Sequence, residues 1–491
     1  MKKLLLGLAA VCLTAPIFAQ SEVVKDPATY EKVGDYTLEN LWIQSVATGN
    51  SENVVAASVS RGMAITEDEL LYPYVSEFSG IKVYDLKTGA FKKDIKFDTS
   101  KFVVSSYKTD TLVGEKNDTT YSYKLVDLAG PGYLPNDVQV DDAGNVLVHN
   151  MVPKFSSTSG AQLAIWRIDM ETGEPTKVMD LINKDGYLDG YRVDYFAVKG
   201  DVTKDAIVMF AVASNNLVIR CDIKDGQLVA QTEGDYVGYN FNVIEIKDYS
   251  PEGAENNGYA PRISIVDDEL FYLDGFNSEA SLYDMSGSLI ESVSNAPEAC
   301  HILNSKFGTN GVAEFTLNDK PFCAYTVSNN ESSAEIPHAW KVIEMGAGPT
   351  FEGATHYWTF PANGMGTVSN PNRNALPRVA TVTDKNGREA AYIAVYAEAN
   401  GTAVYKMTPD GFDAESESGV EDVVADNVNI YVAGDAIHFS GVADAVVYNF
   451  AGQQVSAANG VQTMAAPAAK GIYIVKAVID GVQKVQKVVV K

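Results

Sequence analysis

Apolar and polar positions alternate through most of the chain in short runs broken by Gly, Asp and Asn, which is the period of β-strands rather than of helices. Residues 81–97, IKVYDLKTGAFKKDIKF, show the unit most plainly. Two alternating runs flank Asp85-Leu86-Lys87-Thr88-Gly89, a polar turn that ends on a residue free to take positive φ, and this predicts a hairpin. The unit returns at 163–178 (LAIWRIDMETGEPTKV), 217–230 (LVIRCDIKDGQLVA), 280–293 (ASLYDMSGSLIESV) and 402–411 (TAVYKMTPDG). An irregular copy occupies 339–358, where Gly346 and Gly348 take the turn. Intervals of roughly 50 to 85 residues match four-stranded propeller blades carrying insertions.

An inner strand pair precedes each hairpin: 61–74 around Glu67-Asp68-Glu69, 137–150 around Asp141-Asp142, 262–273 around Asp267-Asp268-Glu269, and 378–396 around Asp384 to Gly387. Residues 193–213 and 311–326 supply the other two. The expected fold is all-β, a β-propeller over 36–412 with six blades, five and seven being the alternatives. The last blade lacks an outer strand after Gly411, and the orphan strand NLWIQSV at 40–46 is placed to fill it and hide the open edge. Residues 101–128 read as an insertion between the first two blades, and DAESESG at 413–419 as an acidic linker.

Residues 420–491 read as a second, small β-sandwich whose runs alternate around Gly434, Gly441, Gly452 and Gly481. Three stretches in it are distinctive: Val446-Val447-Tyr448-Asn449 with Ala451 to Val455, Lys470-Gly471-Ile472-Tyr473-Ile474-Val475, and Gln486-Lys487-Val488-Val489-Val490-Lys491. With these the segment resembles the type A C-terminal sorting domain of the type IX secretion system of Bacteroidota bacteria, although 465–469 is richer in alanine than that family's pattern. The resemblance implies export across the outer membrane, that secretion machinery as a partner, and Gly452, Gly471, Tyr473 and Lys487 as motif residues. Leu41-Trp42 and Ala47 to Asn50, ahead of Arg61-Gly62-Met63-Ala64, are similar to an uncharacterised propeller family of the same bacteria, which brings no activity with it.

The amino terminus agrees with export. Lys2 and Lys3, an apolar run from Leu4 to Leu13, and Pro16 and Ala19 before Ser21 form a secretory signal over 1–19 with cleavage at Ala19 and Gln20. No later stretch has transmembrane length, so a secreted or outer-membrane surface protein reached through the periplasm is expected. The formal charge of −26 becomes −28 without Lys2 and Lys3 and argues against nucleic acid as a partner. Cys221, Cys300 and Cys323 remain, either with 300 and 323 bridged across neighbouring strands or as three buried thiols.

No catalytic motif and no cofactor signature emerges. The acidic turns lack the alternating oxygen ligands that enclose calcium, and His338 and His356, each two residues before a tryptophan, have no metal-ligand spacing behind them. Position carries the one site expectation. Arg61, Arg192, Arg262 and Arg378 stand at or beside the starts of innermost strands, the rim where propellers take ligands, with Asn136-Asp137 and Asn310 in the other blades. Four of the chain's eight arginines would there form a positive well for a carboxylate, sulfate or phosphate, or would staple neighbouring blades. Tyr187, Tyr191, Tyr236 and Tyr239 lie in adjacent connections and offer faces for a sugar. The expected function is non-catalytic binding of an anionic or carbohydrate ligand. A polysaccharide lyase or glycosidase using Asp137 and Asp194, and a structural or adhesion protein, are the alternatives.

Overall fold

The computed structural model describes residues 24–490 except 51–60, 76–78, 114–118, 157–161, 182, 184–185, 231–238, 251–253, 277, 304–310, 329–335, 347–349, 369–373, 420–429, 450–452 and 480–481. The signal with Ala19 and Gln20, and also Tyr236, Asn310, Gly348, Gly452 and Gly481, lie outside the described residues. The fold is all-β, and among the described residues no helix is long and apolar enough to cross a membrane.

Six antiparallel sheets follow one another along the chain. Sheet one holds Ala64–Ile65, Glu69–Val75, Ser79–Asp85 and Phe91–Lys96. Sheet two holds Asp137–Val140, Val146–His149, Leu163–Ile168 and Pro175–Leu181. In sheet three, Ala197–Gly200, Ala206–Ala211 and Leu217–Lys224 are followed by a divided edge, Gln227–Leu228 on one half of the third strand and Asn242–Glu245 on the other. The single outer strand expected there is thus two short ones.

Sheet four runs through Tyr259–Ile265, Leu270–Phe276, Ser281–Asp284 and Leu289–Ser292. Sheet five comprises Val312–Leu317, Lys320–Thr326, Trp340–Gly346 and Thr350–Phe360. Sheet six has Ala375–Thr383, Glu389–Ala397 and Gly401–Pro409, with the amino-terminal strand Tyr36–Ser45 on its outer edge.

Alternation along each strand gives every sheet two apolar faces, and each face is buried against a neighbouring sheet. One core is shared by sheets one and two (Leu71, Val83, Val138, Trp166), another by two and three (Leu147, Ile165, Val208, Ile219). The series continues through three and four (Met209, Val218, Phe271, Tyr283), four and five (Tyr272, Leu282, Cys323, Ile343), and five and six (Phe322, Trp340, Ile393, Tyr405). A sixth core joins sheet six back to sheet one through Trp42, Leu70, Tyr72, Tyr392 and Val404. At that seam the turn after Ser79–Asp85 meets the amino-terminal strand. Trp42 Nε1 donates to the Leu86 carbonyl (2.8 Å), and Gly89 takes φ +68° with its Cα so close that a Cβ would lie 2.7 Å from the Trp42 ring.

Residues between sheets one and two form a hairpin, Val103–Val113 with Thr119–Ala129. The stretch 413–419 is not a free linker: Ser418–Gly419 pairs with Val382 and Thr383, and Glu417 takes Lys87 and Lys406, so it finishes the inner edge of sheet six. The three cysteines among the described residues, Cys221, Cys300 and Cys323, are free and buried in apolar cores, with no 300–323 bridge.

The carboxy-terminal unit is one five-stranded sheet rather than two stacked ones: Ile430–Ala433, Ala436–Asn449, Gln454–Ala465, Gly471–Ile479 and Val482–Val490. Its 14-residue second strand breaks register near His438, Ala443 and Val447, and pairs first with Ile430–Ala433 and then with Gly471–Ile479 on the same edge. Bulges of this kind bend a strand, so the first and last strands of the sheet touch around a core of Ile437, Val447, Val475 and Val488.

Candidate functional site

The leading ends of the sheets meet around one buried guanidinium. Arg262, on the first strand of sheet four, is only 5% exposed. Its Nη1 reaches Asp137 Oδ2 of sheet two at 3.4 Å, and its Nη2 donates to the Arg61 carbonyl before sheet one (2.8 Å) and to Asn374 Oδ1 before sheet six (2.6 Å). The Tyr195 ring, ahead of sheet three, lies 3.7 Å from its Cζ, a cation–π contact made stronger by exclusion of water. Sheet five joins through Asp274, opposite Arg262 in register, which accepts the Gly311 N–H at 2.6 Å.

Burying such a pair costs several kcal/mol of desolvation per ion, offset only by Coulomb attraction and further hydrogen bonds. Asp137 is fully buried and takes Gln139 Nε2 at 3.0 Å besides Arg262, while its Oδ1 has no donor. Gly62 explains how the carboxylate fits, since a Cβ there would lie 1.9 Å from Asp137 Oδ1.

All four sequence-predicted arginines come into this region, but not as a bare positive well. Arg192 forks onto Asp194 of its own segment, Nε to Oδ2 at 2.8 Å and Nη2 to Oδ1 at 2.6 Å, leaving its side chain 45% exposed. Arg262 is committed to Asp137. Arg61, one residue out of phase with the others, points its Nη1 at Asn136 Oδ1 (3.2 Å) and the Met151 sulfur (2.8 Å) and has no carboxylate partner among the described residues. Arg378 donates from Nε to the Met63 carbonyl at 3.0 Å and from Nη1 to that of Pro377 at 3.4 Å. Burial, reinforced by Arg262, lowers its guanidinium to about 10 against the opposing pull of Asp137 and Asp274. The Nη2 groups of Arg61 and Arg378 meet no acceptor among the described residues.

Sequence reasoning passed over His149, Asp274, Asn374 and Tyr195. The signal for two of them was register: His149 ends its second strand, and Asp274 lies near the end of another, directly opposite Asp137 and Arg262. His149 is fully buried beside Phe196 (5.0 Å), and burial drives it down to about 4 despite Asp137 and Asp194 nearby, so it is neutral at pH 7.

The other flagged residues are not brought together here. His338 bonds Asn400 (3.1 Å) and His356 bonds Thr359 (3.0 Å), separate packing roles. Asp141 and Asp267 close their own turns by accepting backbone N–H groups. Tyr187 is 40% exposed and packs with Tyr239 and Phe241, and Tyr191 joins the core of sheets two and three. Gly471 and Tyr473 sit on the carboxy-terminal sheet, whereas Lys487 turns away from solvent into the six-sheet body.

In fold the chain is similar to the crystal structure of a DUF4623 family protein from Bacteroides eggerthii DSM 20697, with TM-score 0.55 and 13% identity over 79% of this chain and 78% of that one. At that identity the likeness concerns the fold alone. The computationally designed Ika8 protein (TM-score 0.27, 12% identity, 87% and 96% covered) and Saccharomyces cerevisiae Sqt1 (0.29, 8%, 89% and 97%) score too low to carry any argument. No protein-family model and no curated protein matches the chain.

Proposed function

We propose that the six sheets are the blades of a closed β-propeller, exported through type IX secretion by its carboxy-terminal sheet, which binds an anionic or carbohydrate ligand at the mouth formed by the leading strand ends. The cyclic series of shared cores, with the amino-terminal strand completing the last sheet, supports the closed ring. The motif residues Gly471, Tyr473 and Lys487 support the sorting assignment, and with it a secreted or surface location.

One observation carries the ligand reading: among the described residues Arg61 and Arg378 reach this region without a carboxylate partner, each with an Nη2 donor unused, beside the half-exposed Arg192. An oxyanion bridging two guanidiniums satisfies those donors by charge-assisted hydrogen bonds. The same geometry favours binding over the lyase or glycosidase, because Asp137 and Asp194, the carboxylates such an enzyme would use, are both held by guanidiniums.

Titration calorimetry on the full chain tests this with sulfate, phosphate, glucuronate and neutral glucose. An acidic ligand should bind, and Arg61→Gln or Arg378→Gln should weaken it about tenfold or more. Anion binding unchanged in both variants removes the arginines from the proposal. For export, deletion of 420–491 should hold the chain in the periplasm of a type IX-competent host, and its normal appearance outside the cell would refute the sorting assignment.

A further inference from the structure

A second charged site lies away from the arginines, in the cleft between sheets four and five. Three acidic residues face it: Glu314 from the first strand of sheet five, Glu291 from the last strand of sheet four, and Asp267 from the turn after Tyr259–Ile265. Glu314 Oε2 accepts from the Tyr272 hydroxyl at 2.7 Å. Glu291, 4% exposed, accepts the Phe351 N–H at 2.8 Å through Oε2, while its Oε1 is buried with no donor.

The group inside the cleft comes from the carboxy-terminal sheet. The Lys487 side chain is only 4% exposed, its Nζ lies 3.2 Å from Glu314 Oε2 and 5.7 Å from the centre of the Tyr272 ring, and Gln486 beside it reaches Asp267 Oδ2 at 3.4 Å. Ile472 packs against the apolar core of sheets four and five, so the stem and the head of the contact differ in kind. An ammonium group against a carboxylate and an aromatic face, within electrostatic reach of the buried Glu291, is a cation site with its occupant in place.

We propose that the cleft between sheets four and five is a binding site for a primary alkylammonium group, filled in the resting chain by Lys487, and that this contact seats the carboxy-terminal sheet on the six-sheet body. It does not rest on the ligand at the mouth, since none of the contacts named here involves Arg61, Arg192 or Arg378. One consequence concerns sorting: the lysine that matches the export motif is hidden while the sheet is seated, so any receptor that reads Lys487 must first lift it out.

Amine footprinting with an acetylating reagent and mass spectrometry tests the seat in the intact protein, with Lys204, whose side chain is 79% exposed, as internal standard. Lys487 should react roughly tenfold more slowly than Lys204, and Glu314→Gln should remove most of that protection. A second arm uses Lys487→Ala, whose emptied cleft should take n-butylammonium. That ion should raise the melting temperature of the variant more than that of the wild type, and tetramethylammonium should not reproduce the effect. Failure of either arm overturns the proposal: Lys487 reacting like Lys204 or indifferent to Glu314→Gln, or a Lys487→Ala chain that does not distinguish the two ammonium ions.

Discussion

The two charged regions of this molecule are built from the same groups in opposite proportion. Where the leading strand ends meet, arginines from four segments lie together, and burial lowers the bases there, Arg378 to about 10 and His149 to about 4. In the cleft between sheets four and five acids predominate, and burial pushes Glu291 up to about 7 and Asp267 to about 6, with Lys487 pulling both back. Desolvation acts on both regions alike, disfavouring whatever charge is present, so bases and acids move in opposite directions. The regions also differ in where the counter-charge comes from. Asp137 is met by an arginine of another sheet in the same body, whereas Glu314 is met by a lysine from a separate unit.

The largest effect expected from that difference is at Arg262. Arg262→Met strips the guanidinium from Asp137, which is wholly buried, and from the acceptors of Arg61 and Asn374. Breaking one side of a buried pair costs about 3–5 kcal/mol, and adding Asp137→Leu should recover much of it because no charge is then left stranded. Thermal unfolding of the single and double variants reads this directly. A single variant that melts with the wild type would mean that the convergence at Arg262 does not hold the sheets together.

The hairpin pattern made the all-β class, the inner and outer strand pairs and the placing of the amino-terminal strand on the edge of sheet six legible in the sequence, because each depends on alternation and turn residues close together in the chain. Residues 36–45 pair with 401–409 as the missing outer strand required. The arginine positions were legible too, since the start of an inner strand can be counted. Their partners were not. Asp137 meets Arg262 across 125 positions, and Asn374 meets it across 112, contacts set by how the sheets are arranged and by nothing local. The seating of Lys487 against Glu314, 173 positions away, was hidden for the same reason, and 413–419 looked like a linker because its pairing with Val382 and Thr383 depends on register, not composition.

Protons separate the two regions by sign. The unfolded chain protonates His149 near its ordinary 6.5, whereas the folded one resists until about 4. Its contribution is therefore intact above pH 6.5 and is lost as pH falls toward 4, by at most about 3 kcal/mol. His149→Leu should flatten that part of the acid limb in melting curves taken between pH 4 and 8. Glu291 runs the other way. Raised from 4.5 to about 7, it leaves stability intact below 4.5 and takes it away as pH rises to 7. Glu291→Gln keeps the acceptor for the Phe351 N–H and should melt higher than the wild type at pH 8, by at most about 3 kcal/mol, with little difference at pH 4.5. Equal melting at pH 8, or both variants shifting the same limb, would erase the contrast.

The smallest effect sharpens the cleft itself. The carboxy-terminal sheet makes a second ionic contact with sheet five, Lys476 Nζ to Asp319 Oδ2 at 3.5 Å, with side chains 39% and 59% exposed. Water already solvates both groups, so Asp319→Asn should change stability by no more than about 0.5 kcal/mol, and asparagine tolerates the φ of +66° at that turn. Glu314→Gln instead leaves an ammonium buried without its charge partner. If the seat is the cleft, Lys487 stays protected from acetylation in Asp319→Asn and loses protection in Glu314→Gln. Equal exposure of Lys487 in the two variants would mean that charge anywhere along the interface, rather than the lysine in its cleft, seats the sheet.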